Sequence, residues 1–342
     1  DGVLQPLGTV PQDIAANVVV RLKVLARLLT YETRLPQEGR IVDPRKTRDI
    51  RISSFPTIFG EKIVARLLTP GASPRATLAE LNLPEPVADS LTAALSKSTG
   101  MILIVGPAGS GKTTTAYACL REILEQGHGQ RNIVSMEDPV EVVVDGVAQA
   151  EVSESAGLDL ITGLRSLVRQ DPDVIFVGEL RDPATASIAY QAALTGQLVI
   201  TTFHASDAAT AVGRLLDMEI PPYVIRSATN LIVAQRLLRN LCTCAESITD
   251  VDGKPHRQSR GCERCQHTGY QGRRLVAESL WLEGTQVNQA IRTGIDTNQL
   301  RELAMQEGMR TLHQEALALR AAGITSDAEL IRVFGLNFGE GH

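Results

Sequence analysis

Eight residues constrain this chain more than any others. Gly106-Pro107-Ala108-Gly109-Ser110-Gly111-Lys112-Thr113, followed by Thr114, fits the spacing G-x-x-x-x-G-K-[ST]. An apolar run at residues 101–105 precedes it, and a helical pattern with Ala116, Leu120, Ile123 and Leu124 follows. Strand, glycine-rich turn and helix in that order curl backbone N–H groups toward phosphate oxygens, and the helix N-terminus adds its partial positive charge. Lys112 has the reach for β- and γ-phosphates, and the Thr113 hydroxyl suits Mg²⁺. The residues predict a nucleoside triphosphate site.

The chain around the loop follows the same grammar. Buried strands are predicted at 101–105, 132–136, 174–177 and 198–202, with helical patterns at 160–168, 183–194 and 207–218 between them. Such alternation implies an α/β domain with a parallel sheet and helices on both faces. From 285 to 342 the pattern is helical. Before the loop, Pro11 opens a helix with Ile14, Val18, Leu22, Leu25 and Leu29 on one face, and short strands follow at 40–42, 49–55 and 62–68. This reads as a small α+β domain over 1–70. A Pro/Gly/Ser linker at 71–77 leads to the main domain, 78–342. The opening Asp1-Gly2-Val3 reads as a piece of a longer protein.

Strands of a parallel sheet end at the nucleotide, so acids there are candidates for metal and water chemistry. Ile133-Val134-Ser135-Met136 runs into Glu137, and Val174-Ile175-Phe176-Val177 runs into Gly178-Glu179. Gly178 stands where an Asp often holds the metal. Glu179 is expected to orient the attacking water and Glu137 to be a second acid near Mg²⁺. His204, after the fourth strand, is expected to reach the γ-phosphate or that water.

Charge decides what else the chain does. Residues 1–75 carry 12 Lys+Arg against 7 Asp+Glu, and the remainder carries 22 against 32. An acidic main domain argues against nucleic acid as a partner. The stretch 183–206 lacks Asp, Glu, Lys and Arg, yet Gly196, Gln197 and several threonines bar it from spanning a membrane. With no signal peptide and five cysteines, the chain reads as a soluble intracellular protein. Cys242-Thr243-Cys244 and Cys262-Glu263-Arg264-Cys265 stand 17 residues apart, a spacing that suits a tetrahedral Zn²⁺ folding a loop too short for its own core. The tight C-x-C pair leaves room for His256 or His267 to replace one sulfur. Cys119 reads as a core residue.

Four motifs together resemble the secretion ATPases of type II secretion and type IV pilus assembly. They are the phosphate loop, the acidic box 133–141, the run Arg169-Gln170-Asp171-Pro172-Asp173 through Glu179 to Asp182, and the box from Thr195-Gly196-Gln197 to His204-Ala205-Ser206-Asp207. The family's own pattern has the glycine at 178. The resemblance implies a RecA-like P-loop ATPase domain behind a partial PAS-like domain, to which 34–41, 49–53 and 60–68 are similar. It implies that Arg40, Arg51 and Arg66 approach the nucleotide phosphates, and that the cysteines form the tetracysteine element of the secretion and pilus-extension branches. ATP, Mg²⁺ and Zn²⁺ are the implied cofactors. A homohexamer is implied at the cytoplasmic face of the inner membrane, pushing a secretion or pilus platform protein. The family's earlier N-terminal domain, which docks on membrane partners, is not seen in the sequence.

The residues predict hydrolysis of ATP, and the resemblance implies that it powers a pseudopilus for type II secretion, or a type IV pilus. Two other classes stay open: a RecA-like nucleic-acid motor, which calls for basic loops, and a nucleotide-binding regulator without turnover.

Overall fold

The computed structural model describes residues 3, 6–42, 49–68, 76–127, 129–153, 156–249 and 255–335. The chain divides into two compact units, Gly2–Arg75 and Ala76–His342. Most of the stretch read as a linker lies outside the described residues.

In the first unit, helix α1 (Gln12–Leu25) precedes strands β1 (Gln37–Val42), β2 (Asp49–Thr57) and β3 (Gly60–Leu68), which form an antiparallel sheet in that order. The unit is α+β, as its pattern predicts. The apolar stripe of α1 is only partly covered: Ile14 is 44% exposed and Leu25 43%. Three strands screen little of a helix, and among the described residues the unit buries Lys23, Ala26, Ile52 and Ser54. Lys23 is satisfied there by Glu61 at 2.7 Å and by the Glu32 carbonyl at 2.7 Å.

The second unit opens with α2 (Glu85–Leu95), β4 (Gly100–Val105), α3 (Lys112–Gln126), β5 (Ile133–Glu137) and β6 (Ala148–Glu151). It continues through α4 (Leu160–Leu167), β7 (Val174–Leu180), α5 (Pro183–Leu194), β8 (Leu198–Phe203), α6 (Ala208–Asp217), α7 (Pro222–Ala228) and β9 (Thr229–Leu241). A hairpin, β10 (Glu246–Thr249) with β11 (Pro255–Gln258), leads to β12 (Tyr270–Trp281). Helices α8 (Gln286–Ala290), α9 (Thr297–Gln306), α10 (Leu312–Ala321) and α11 (Asp327–Phe334) follow.

Among the described residues, seven strands form one sheet in the order β12-β9-β4-β8-β7-β5-β6, parallel except for β12. Every residue of β4 and β8 is buried, because helices cover both faces. Ile102 and Ile104 pack with Leu91, Ala116 and Leu120 on one side, while Leu103 and Val105 join Ala189, Val212 and Ile225 on the other. The register places the site. Val105 pairs with Phe203, Val177 with Thr201, and Met136 with Val177. The phosphate loop, His204, Glu179 and Glu137 therefore leave the sheet at the same edge, the carboxyl ends of the strands.

Candidate functional site

The phosphate loop lies between β4 and α3 with its glycines where no side chain fits. Gly111 has φ +89°, and a Cβ on Gly106 would stand 2.4 Å from Ser110 Oγ and 2.7 Å from the Gln235 carbonyl. Gln235 of β9 secures the loop, donating to Ser110 O at 2.9 Å and accepting from Thr115 Oγ1 at 3.0 Å. Lys112 Nζ folds back onto the carbonyls of Gly106 (2.8 Å) and Pro107 (3.1 Å). Burial pulls its pKa down, Glu179 opposes that pull and Arg236 adds to it. A triphosphate offers the counter-charge this ammonium lacks. Ser110 Oγ is buried without a hydrogen-bond partner. An idle hydroxyl within a ring of glycines fits a phosphate-bearing ligand, and the partly exposed Thr113 beside Lys112 fits the accompanying Mg²⁺.

Glu179 meets the loop through His204. Its carboxylate lies 2.7 Å from His204 Nε2 and 2.6 Å from Arg181 Nε, and Arg181 reaches Asp138 at 3.1 Å. His204 Nδ1 stands 3.1 Å from Gly106 O and 3.4 Å from Lys112 Nζ. A neutral ring donates from Nε2 to Glu179 and turns its Nδ1 lone pair to Lys112; a protonated ring donates to Glu179 and to Gly106 O together. His204 thus touches the phosphate loop directly, and Glu179 is joined to it through His204. Gly178 has a packing reason: a Cβ there would come within 3.3 Å of the Glu137 Cα. An Asp at that position would press on β5.

Glu137 leaves the end of β5 within a hydrogen-bond network. It is 2% exposed and accepts from Tyr117 Oη at 2.5 Å, Ser135 Oγ at 2.7 Å and Gln149 Nε2 at 3.0 Å. Tyr117, Gln149, Arg181 and Asp138 carry no role in the sequence reading. Tyr117 is legible only as an apolar position of α3, and Gln149 carries no signal.

Arg40, Arg51 and Arg66 fall in one register row: Arg40 pairs with Arg51, and Arg51 with Arg66. Directly opposed residues share a sheet face, so the three arginines leave the sheet on one side. Arg51 is also paired with Glu38.

The four predicted cysteines converge, with all sulfurs within 4.8 Å of one another. Cys242 to Cys262 is 3.9 Å, Cys244 to Cys265 3.9 Å, and Cys262 to Cys265 3.8 Å. Tetrahedral ligation at ~2.3 Å per bond places sulfurs ~3.8 Å apart, so the set fits Zn²⁺. Neither His256 nor His267 belongs to this group, and His256 lies 3.9 Å from Asp327. Burial pushes the Cys265 thiol up, but the N–H groups of Cys262 and Gly269 outweigh it and hold the thiol at about 6. Cys119 is fully buried in the core.

The family described as type II/IV secretion system protein matches residues 1–332. The chain is 38% identical to the type II secretion system protein HxcR of Pseudomonas aeruginosa, over 97% of this chain and 70% of that protein. It is 37% identical to the type IV pilus assembly ATPase PilB of Thermus thermophilus, over 97% of this chain but only 39% of that protein. Among solved structures, the pilus retraction motor PilT with bound ADP superposes with a TM-score of 0.62 at 25% identity, covering 88% of this chain and 78% of that one. Among the described residues, no helix is long and apolar enough to cross a membrane.

Proposed function

This chain belongs to the type II/IV secretion system protein family, and from that premise we propose that it is a Mg²⁺-dependent ATPase powering pseudopilus assembly for type II protein secretion. It acts as a homohexamer on a platform protein at the cytoplasmic face of the inner membrane. Type IV pilus extension is the second reading, favoured by the 37% identity to a pilus assembly ATPase. One observation carries the ATPase reading: Glu179, His204, Lys112 and the Gly106 carbonyl form an unbroken chain of contacts of 2.7–3.4 Å over the phosphate loop.

In this reading Gly106 and Pro107 open the loop, and the amides of Ala108, Gly109, Ser110 and Gly111 and the first turn of α3, including Thr114, cradle the phosphates. Lys112 leaves its carbonyl partners for the β- and γ-oxygens. Thr113 would hold Mg²⁺, which would supply charge neutralisation for the phosphates. Glu179 orients water and accepts its proton, with His204 fixing the carboxylate and standing near the transferred phosphoryl. Glu137 fastens α3 to β5 through Tyr117, and contributes to the metal only when nucleotide binding frees it. The Arg40–Arg51–Arg66 row is a receptor for a polyanion, and the triphosphate is the polyanion proposed. Zn²⁺ on Cys242, Cys244, Cys262 and Cys265 is structural.

The test is steady-state phosphate release with Mg·ATP. Lys112→Ala is expected to lose nucleotide binding. Glu179→Gln is expected to bind ATP yet turn over ~10²- to 10⁴-fold more slowly, the span of general-base contributions. Wild type no faster than either variant would refute the enzyme, and release stimulated by DNA would point instead to a nucleic-acid motor.

A further inference from the structure

The segment carrying His204 runs directly into α6, and the first N–H of that helix has an unexpected partner. Ala208 N donates to Glu278 Oε1 at 2.8 Å, while Leu312 N, the first of α10, donates to Glu278 Oε2 at 2.8 Å. Glu278 stands on β12, far along the chain, and is 2% exposed. Two helix N-termini, each with unpaired donors and partial positive charge, thus converge on one carboxylate. A second link runs alongside. Asp207 caps α6 by accepting from Thr210 N at 2.7 Å, and its other oxygen lies 2.9 Å from Arg301 of α9. The same segment is gripped on its carbonyl side: Arg214 donates to His204 O and Arg236 to Ser206 O. Its position over the phosphate loop is therefore set by Glu278, Arg301, Arg214 and Arg236 together.

We propose that Glu278 is a positioning residue for ATP hydrolysis and the joint through which displacement of the 204–207 segment reaches the C-terminal helices α9 and α10. This inference rests on the ATPase reading and gives those helices their task. The physical ground is burial. Where water is excluded, an N–H pulled away from its carboxylate finds no replacement. When His204 shifts on arrival or loss of the γ-phosphate, the first turn of α6 moves with it. Glu278 must follow, and the Leu312 N–H on its other oxygen follows in turn.

Two measurements test this. Glu278→Gln keeps the side-chain shape but replaces one acceptor oxygen with a donor, so one helix N–H faces an NH₂ group. Turnover is expected to fall about tenfold or more, the effect of one charge-assisted hydrogen bond, with ATP affinity and KM within about twofold of wild type. The second measurement is hydrogen exchange at single-amide resolution on the wild-type chain. The Ala208 and Leu312 amides are expected to change protection together when a non-hydrolysable ATP analogue binds with Mg²⁺.

Wild-type turnover in Glu278→Gln, or parallel losses of kcat and affinity, would overturn the positioning role. A Leu312 amide indifferent to nucleotide would overturn the joint. Should the variant fail to fold, exchange in the wild type still decides. A wild type that binds nucleotide without hydrolysing it would defeat the ATPase reading, while the exchange result would stand apart from that failure.

Discussion

Glu329 offers the sharpest test of what holds the C-terminal helices to the sheet. Its carboxylate is fully buried between two arginines. It accepts from Arg239 N at 2.9 Å and Arg239 Nε at 2.8 Å, and from Arg332 Nε at 2.7 Å and NH2 at 2.6 Å. Arg239 also lies 3.9 Å above the Tyr270 ring, whose hydroxyl is 2.6 Å from Ser326, the cap of α11. Glu329→Gln preserves volume but strands two guanidiniums. Breaking a fully buried pair costs ~3–5 kcal/mol. Arg332 is 33% exposed, so water relieves part of the loss there, while Arg239 at 12% exposure finds little relief. The low end, ~3 kcal/mol, is therefore expected.

For a unit of this size that corresponds to a melting shift of roughly 6–12 °C near neutral pH, read by calorimetry. Burial pushes the Glu329 carboxyl up, but the hydrogen bonds from Arg332 and Arg239 outweigh it, and its pKa is lowered. A depressed folded pKa stabilises above the unfolded value of ~4.3, and that stabilisation fades as pH falls through the folded pKa. The gap between wild type and Glu329→Gln should hold steady through neutral pH and close in acid below ~4. A gap under about 2 °C at neutral pH, or one that widens on acidification, would refute the reasoning.

Protein purified without chelator should contain about one zinc ion per chain. Cys265→Ser should lose that ion, and because the sulfurs bind it only as thiolates, acidification should release it from the wild type as well. A metal-free chain with an unchanged melting profile would refute the structural role. Arg66→Ala should lower ATP turnover while leaving the melting temperature equal or slightly raised, because removing one of three aligned like charges relieves ~0.2–1 kcal/mol of repulsion. Unchanged turnover would remove the arginine row from the proposed site.

How much of this was legible in the sequence depended on what each residue answers to. The phosphate loop, α5 at 183–194 and strands β4, β5, β7 and β8 obey local rules of periodicity and turn chemistry, and they appear within a residue or a few of their predicted positions. Strands β9 and β12 were not read at all. Residues 231–234 form one apolar block, then Leu237, Leu238 and Leu241 recur at helical spacing, and burial on both faces of the sheet removes the alternation that marks a strand. Glu179 and His204 were legible because each directly follows a strand. The surroundings of Glu137 were not, since Tyr117, Ser135 and Gln149 come from three separate elements. Glu278 carried no signal, because its partners are backbone groups of helices elsewhere in the chain. The spacing of the cysteine pairs suggests a metal element, but only the folded arrangement brings the four sulfurs together without a histidine among them.

The charge of the site bears on why turnover should be tied to movement. Near the phosphate loop, the positive groups of the Ala76–His342 unit are largely committed. Arg181 is spent on Glu179 and Asp138, while Arg214 and Arg236 grip the carbonyls of His204 and Ser206. Lys112 stays for the phosphates, its charge already disfavoured by burial. One ammonium cannot balance a triphosphate as charge spreads over the γ-phosphoryl oxygens during transfer, so the remaining positive charge has to come from elsewhere. Mg²⁺ is one source. The aligned Arg40, Arg51 and Arg66, of which Arg51 also holds Glu38, are the other proposed source. On this proposal, the Ala76–His342 unit deprived of the arginine row is expected to hydrolyse slowly, and turnover of the triple Arg→Ala variant tests it.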